Sequence, residues 1–133
     1  MKQVKDFFIY STGRFALGVG ASLTQNINLQ ADADFELLKL TFSADIAGAL
    51  INNNTYPIPN ATVLITDTGS GRQISNVAIP IEAILGIGKE PFILSAPRLF
   101  TARSTIAITL ISFEAATAYN ISINLIGNKI FNY

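Results

Sequence analysis

Apolar residues recur at every second position through most of this chain. Leu23, Gln25, Ile27 and Leu29 alternate with Thr24, Asn26 and Asn28, and Ile106, Ile108 and Leu110 with Thr105, Ala107 and Thr109. Tyr119, Ile121, Ile123 and Leu125 alternate with Asn120, Ser122 and Asn124. A period of two belongs to strands, whose successive side chains point to opposite faces. Val63 and Ile65 keep that period, with Thr62, Leu64 and Thr66 making the second face fairly apolar too. Phe7 to Tyr10, Phe35 to Phe42, a short run near Phe92 to Leu94 and a tail around Lys129 to Phe131 add further segments. About eight short strands between turn-rich linkers predict an all-β fold, a sandwich or barrel rather than βαβ units.

The linkers agree. Asn52-Asn53-Asn54 with Pro57 and Pro59 makes a long exposed connection, and Asp67-Thr68-Gly69-Ser70-Gly71 a tight hairpin-like turn. Gly86, Gly88 and Pro91 break the next segment, Pro97 closes another, and Ala115-Ala116-Thr117-Ala118 joins two alternating strands. At most one or two short helices fit. Pro80 suits a first helical position, Glu82 the positive helix end, and Gly86 a left-handed stop. A further helical turn falls around Asp45 to Leu50. The chain reads as one domain over residues 1–133, with a jelly roll expected and an immunoglobulin-like sandwich as the competing topology.

Half of the 133 residues are apolar and 14% are charged, against about 25% in an average soluble domain. Nine basic residues balance nine acidic ones, so no net field recruits nucleic acid or an anionic membrane. Sparse charge has two readings: a monomer whose surface is neutral but polar, or outer faces covered in an assembly, where charge would have to be desolvated or paired. Cysteine, histidine and tryptophan are absent. Disulfides, thiolate nucleophiles, imidazole bases and the common Cys- or His-ligated metals are thereby excluded, and no cofactor is expected. No run reaches the roughly 18 apolar residues that span a bilayer. The N-terminus reads as no signal peptide, so the Asn-x-Ser/Thr matches at Asn53, Asn60 and Asn120 are taken as chance.

One motif could carry chemistry. Asp67-Thr68-Gly69 after the apolar Val63-Leu64-Ile65 matches the aspartic peptidase signature, in which two close carboxylates share a proton and activate water. Leu125-Ile126-Gly127 resembles the second landmark of retroviral-type enzymes, and Leu85-Gly86-Ile87-Gly88 could be a flap. The departures weigh more. Only six residues follow Gly127, where a helix and a dimer-forming strand are needed, and about sixty precede Asp67. Asp-Thr-Gly is also an ordinary hairpin turn, and the turn reading is preferred.

Asp32, Asp34 and Glu36 could touch calcium but lack a full ligand loop, and they read as a solvated strand edge. Lys89-Glu90 reads as a turn-tip pair, and Arg14, Arg72, Arg98 and Arg103 are scattered. The aromatics say more. Phe7, Phe8 and Tyr10 lie near one end of the chain, Phe131 and Tyr133 near the other. Ends this apolar dock somewhere, either as strands of their own sandwich or on a neighbouring subunit. Pro91-Phe92-Ile93-Leu94 and Pro97-Arg98-Leu99-Phe100 form a second Pro-stiffened stretch. Its Phe92, Arg98 and Phe100 have the composition of interface anchors.

The succession Ala33-Asp34-Phe35-Glu36, Ile65-Thr66-Asp67-Thr68-Gly69-Ser70-Gly71-Arg72, Pro91-Phe92-Ile93-Leu94, Pro97-Arg98-Leu99-Phe100, Tyr119-Asn120-Ile121 and Ile126-Gly127-Asn128-Lys129 resembles small virion proteins of tailed bacteriophages. Within that group it is most similar to the jelly-roll cement, or decoration, proteins of icosahedral heads. The resemblance spans about residue 30 to the end. It implies a structural protein, made in the host cytoplasm, that sits on the outer surface of the head and clamps neighbouring major capsid subunits. The partners it implies are the major capsid protein and further copies of the chain, as a homodimer or homotrimer, with no nucleic acid, membrane or active site involved. A receptor- or carbohydrate-binding jelly roll of a phage fibre or spike is the second expectation, weakened by the missing Trp. The homodimeric aspartic peptidase is the third.

Overall fold

The alternating segments fold as strands, and a computed structural model describes residues 2–46 and 58–132. In chain order they are β1 (Gln3–Ser11), β2 (Phe15–Leu17), β3 (Ser22–Asn28), β4 (Asp34–Ile46), β5 (Ala61–Asp67), β6 (Arg72–Gln73), β7 (Ile79–Pro80), the short helix α1 (Ile81–Ile84), β8 (Phe92–Phe100), β9 (Thr105–Ser112) and β10 (Tyr119–Asn132). The expected Asn52–Asn54 and Pro57 connection lies outside the described residues. So does most of the helical turn expected at Asp45 to Leu50, whose first two residues end β4.

The pairing is nested. β5 pairs with β6 and β7, β4 with β8, β3 with β9, and β1 with β10, all antiparallel. Each pair encloses the previous one along the chain, so the backbone forms one long antiparallel ribbon. Winding the ribbon sets β10 beside β4 and β9 beside β5. Two sheets result: sheet A with the order β1-β10-β4-β8, where β2 also pairs with β10, and sheet B with the order β3-β9-β5-β6, where β7 also pairs with β5. Nested pairs wound into two facing sheets make a jelly roll. The immunoglobulin order pairs no first strand with the last and is excluded.

Inward positions follow the alternation. Leu23 and Ile27 of β3, Ala61, Val63 and Ile65 of β5, and Ile106, Ile108 and Leu110 of β9 meet Ile121, Ile123 and Leu125 of β10 and Phe35, Leu37, Leu40 and Phe42 of β4 in one core. In β4 the buried residues change parity, from odd (Phe35, Leu37) to even (Leu40, Phe42). A β-bulge causes this. Gly127 of β10 pairs with Leu37 while Ile126 pairs with Lys39, leaving Leu38 as the extra residue. The bulge lets a sequence that breaks strict alternation bury both halves of its apolar set. It also presses the β4 backbone against β10: a Cβ at Gly127 would lie 1.9 Å from the Glu36 carbonyl oxygen. Only glycine fits.

Three expectations change. The two Pro-stiffened stretches are one edge strand, β8, with Pro97 inside it. An edge tolerates a missing N–H, and the irregularity opposite Leu38 falls in the same segment. Gly86 is no left-handed helix stop: α1 ends at the extended Leu85 after one turn, with Pro80 as its cap residue. Gly86 instead bridges Thr41, and the Phe42 amide donates to the Gly86 carbonyl at 2.8 Å. A side chain there would strike the Glu90 carbonyl at 2.2 Å. Asp34 and Glu36 lie on β4, an inner strand between β10 and β8, and not on a sheet edge.

Candidate interface surfaces

The two outer faces of the sandwich differ in chemistry. Outward from sheet B point Ser22, Thr24, Asn26 and Asn28 of β3, Thr105, Ala107, Thr109 and Ile111 of β9, and Thr62, Leu64 and Thr66 of β5. None is charged. Neighbouring hydroxyls and amides satisfy one another: the Thr24 and Thr109 hydroxyls are 3.0 Å apart, and the Thr105 hydroxyl donates to Asn28 Oδ1 at 2.8 Å.

On sheet A charges stand on or beside the outer face; Lys5 and Arg14 are paired, while Lys39 has no ion-pair partner among the described residues. Lys5 Nζ lies 3.3 Å from Glu36 Oε2, the Asn128 amide donates to Glu36 Oε1 at 3.3 Å, and Arg14 pairs with Asp45 at 2.5 Å. Most of the polar groups occupy the middle strands, β10 and β4. The exposed apolar residues stand on the two edges: Phe7 (70% exposed) and Ile9 on β1, Ile93 and Leu99 on β8. Cross-strand rows join them, Phe7–Asn128–Glu36–Leu99 and Ile9–Ile126–Lys39–Ile93. Large apolar side chains at both margins of a sheet are where lateral contacts form.

The sequence-predicted anchors divide accordingly. Phe7 is the most exposed of those among the described residues, and Phe92 is also exposed. Arg98 is half-buried, its guanidinium donating to the Gln73 carbonyl at 3.3 Å. It borders an apolar depression of about 370 Å³ that Ile74, Ile79, Ile84, Phe92 and Leu94 line beside the β8 edge. Tyr10 and Phe100 are corrections: they are 6% and 1% exposed and belong to the core. Alternation explains Tyr10, because it shares the inward parity of Phe8, and the Phe8, Tyr10 and Phe35 rings stack edge to face at 4.8 and 4.9 Å. Phe8 packs against the core and is half-buried. Phe131 is half-buried too and pairs with Val4, so this end of the chain docks within its own sheet. Tyr133 lies outside the described residues. Ile9, Ile93 and Leu99 were missed as surface residues, although period-two alternation from Phe7 marks Ile9.

At one end of the sandwich Lys129 is almost wholly buried. Its ammonium donates to Gln30 Oε1, lies 3.2 Å from both oxygens of the half-exposed Asp32, and sits 4.2 Å above the Phe8 ring centroid. The Tyr10 hydroxyl accepts from the Gln30 amide at 3.0 Å. These contacts tie the β3–β4 connection to sheet A. Asp34 Oδ1 accepts the Ala102 N–H at 2.8 Å, holding the β8–β9 turn. Among the described residues no cluster of carboxylates fit for a metal ion occurs.

The Asp67 carboxylate works inside its own turn. Oδ1 accepts the Gly69 N–H and Oδ2 the Ser70 hydroxyl, both at 3.0 Å, while the Gly71 N–H donates to the Asp67 carbonyl at 2.8 Å. Gly127, the supposed second landmark, lies in the other sheet under the β4 bulge. Tyr119, near the start of β10, is held above the usual phenol range, first by burial and then by the Glu114 carboxylate that accepts its proton in a hydrogen bond. Glu114 also accepts the Asn60 N–H at 3.0 Å, joining the β4–β5 and β9–β10 connections. Comparison with known protein families, curated proteins and solved structures finds no match for this chain.

Proposed function

We propose that this chain is a structural virion protein that binds the outside of a phage head and cements neighbouring major capsid subunits, acting together with further copies of itself. The observation that carries the reading is the surface: one sandwich face without charge, another on which Lys5–Glu36 and Arg14–Asp45 are paired, leaving Lys39, and whose apolar side chains line both margins. Such faces lose little on leaving water, because few unpaired charges must be desolvated. The jelly roll supplies a rigid plate, with every inner strand bonded on both sides and one continuous core. The major capsid protein is proposed as partner on the resemblance of the chain's motifs to phage decoration proteins.

The test is direct. Purified protein added to expanded heads that lack it binds stoichiometrically and raises the temperature at which the heads release DNA. Heads that stay bare at saturating protein would remove the cement role.

A further inference from the structure

We infer that two copies of this chain join edge to edge through β1, antiparallel about a two-fold axis at Phe7, so that sheet A runs unbroken across both. This deepens the self-association in the capsid reading and rests on it only for its biological setting. It concerns the purified chain, so each can fail without the other.

The candidate edges are unequal. β8 contains Pro97 and is irregular opposite Leu38, so it offers no long ladder. β3 has seven residues and projects only Ser22, Thr24, Asn26 and Asn28 outward, while β6 and β7 have two residues each. β1 runs nine residues in unbroken register with β10, without proline or bulge, and its other side is bonded to no strand among the described residues. It is also the edge that carries Phe7 and Ile9 on its outer face. A long, regular, apolar edge invites a further strand.

Charge chooses the register. Opposed residues of an antiparallel pair must share a face, which limits the two-fold to a point on a residue. An axis at Lys5 or Asp6 would oppose like charges directly. An axis at Phe7 sets Phe7 against its own copy, Lys5 against Ile9 and Val4 against Tyr10, and pairs all nine residues. It also sets Asp6 against the second copy's Phe8 on the inward face. That ring already carries the Lys129 ammonium at 4.2 Å, so each carboxylate meets the charge of the opposite copy. A specific interface needs about 1,000 Å², and nine paired residues per copy with Phe7 and Ile9 covered would form its centre.

The chain has no cysteine, so an introduced thiol can cross-link only to another copy. Opposed strand residues stand about 4.5–5.5 Å apart, within disulfide reach. Phe7→Cys should give a covalent dimer under mild oxidation at micromolar concentration, with Lys5→Cys, Ile9→Cys and the sheet B control Thr24→Cys staying monomeric. Sedimentation of the unmodified chain should show a monomer–dimer equilibrium that Phe7→Lys weakens on the order of 30-fold. Phe7 is exposed, so both variants keep the fold, checked by circular dichroism. A monomer at every concentration, cross-linking at Thr24→Cys equal to that at Phe7→Cys, or preferential cross-linking at Ile9→Cys each overturns the proposal.

Discussion

Gly127→Ala tests the bulge that lets β4 bury both halves of its apolar set. The new methyl would sit 1.9 Å from the Glu36 carbonyl oxygen, 2.9 Å from its carbon and 3.2 Å from the Leu37 Cα. All three are backbone atoms, so no rotamer change relieves the clash. β10 and β4 must part by about 1.1 Å to reach the 3.0 Å that real Cβ contacts observe. That movement breaks or stretches two or three ladder hydrogen bonds, at about 1 kcal/mol each. Overpacking strain adds about 1–3 kcal/mol. The expected loss is about 3–6 kcal/mol, a large part of a stability that is typically about 5–15 kcal/mol. The assay is urea unfolding at constant slope, with Gly88→Ala as the control because open space surrounds that position. A Gly127→Ala protein within about 1 kcal/mol of the parent would refute the bulge geometry.

Lys129→Met keeps the buried stem and loses the ammonium. Because Asp32 is half-exposed and regains water, the cost should be about 1 kcal/mol, against about 2 kcal/mol for Lys129→Ala, both read by urea unfolding. Asp67→Ala should cost about 1 kcal/mol through its two turn hydrogen bonds and leave head binding unchanged. A loss of proteolysis in a folded Asp67→Ala protein would instead revive the peptidase. Tyr119 has a raised folded pKa, so its neutral form favours the native state. Its contribution is complete below the unfolded phenol pKa of about 10 and is lost as pH rises through the folded value. Thermal melts from pH 9 upward should show a fall that Tyr119→Phe diminishes.

Most strands were legible because alternation is a local property. Ile106 to Leu110 and Tyr119 to Leu125 each declare their inward face within a few residues, and β9 and β10 follow that division. The nested pairing was less legible, since β1 meets β10 across almost the whole chain and no local signal records the partner. β2, β6 and β7 are too short for any period to show. Gly86 was misread because a glycine after four helical residues suits a helix stop as well as a close backbone approach, and the approaching Glu90–Phe92 backbone is set by β8 docking on β4. Phe100 looked like a surface anchor because Pro97 and Arg98 implied a loop, yet an edge strand accommodates both.

The aromatic cluster near the N-terminus holds the sharper lesson. Phe7, Phe8 and Tyr10 are adjacent in sequence, but a strand cannot present neighbours on one face. Phe8 and Tyr10 turn inward with Phe35, and that choice forces Phe7 and Ile9 outward. β1 therefore carries apolar side chains on both faces at a sheet margin. Leaving such groups in water forgoes up to about 1.5–3 kcal/mol for each side chain that could be buried. Nothing in the described chain covers them, and no core requirement selects an apolar residue at an outward edge position. Serine at position 11, on the same outward row, shows that a polar residue fits there. The second copy proposed above would cover Phe7 and Ile9, and the nine-residue regular edge beside them suits a strand as the form that surface takes.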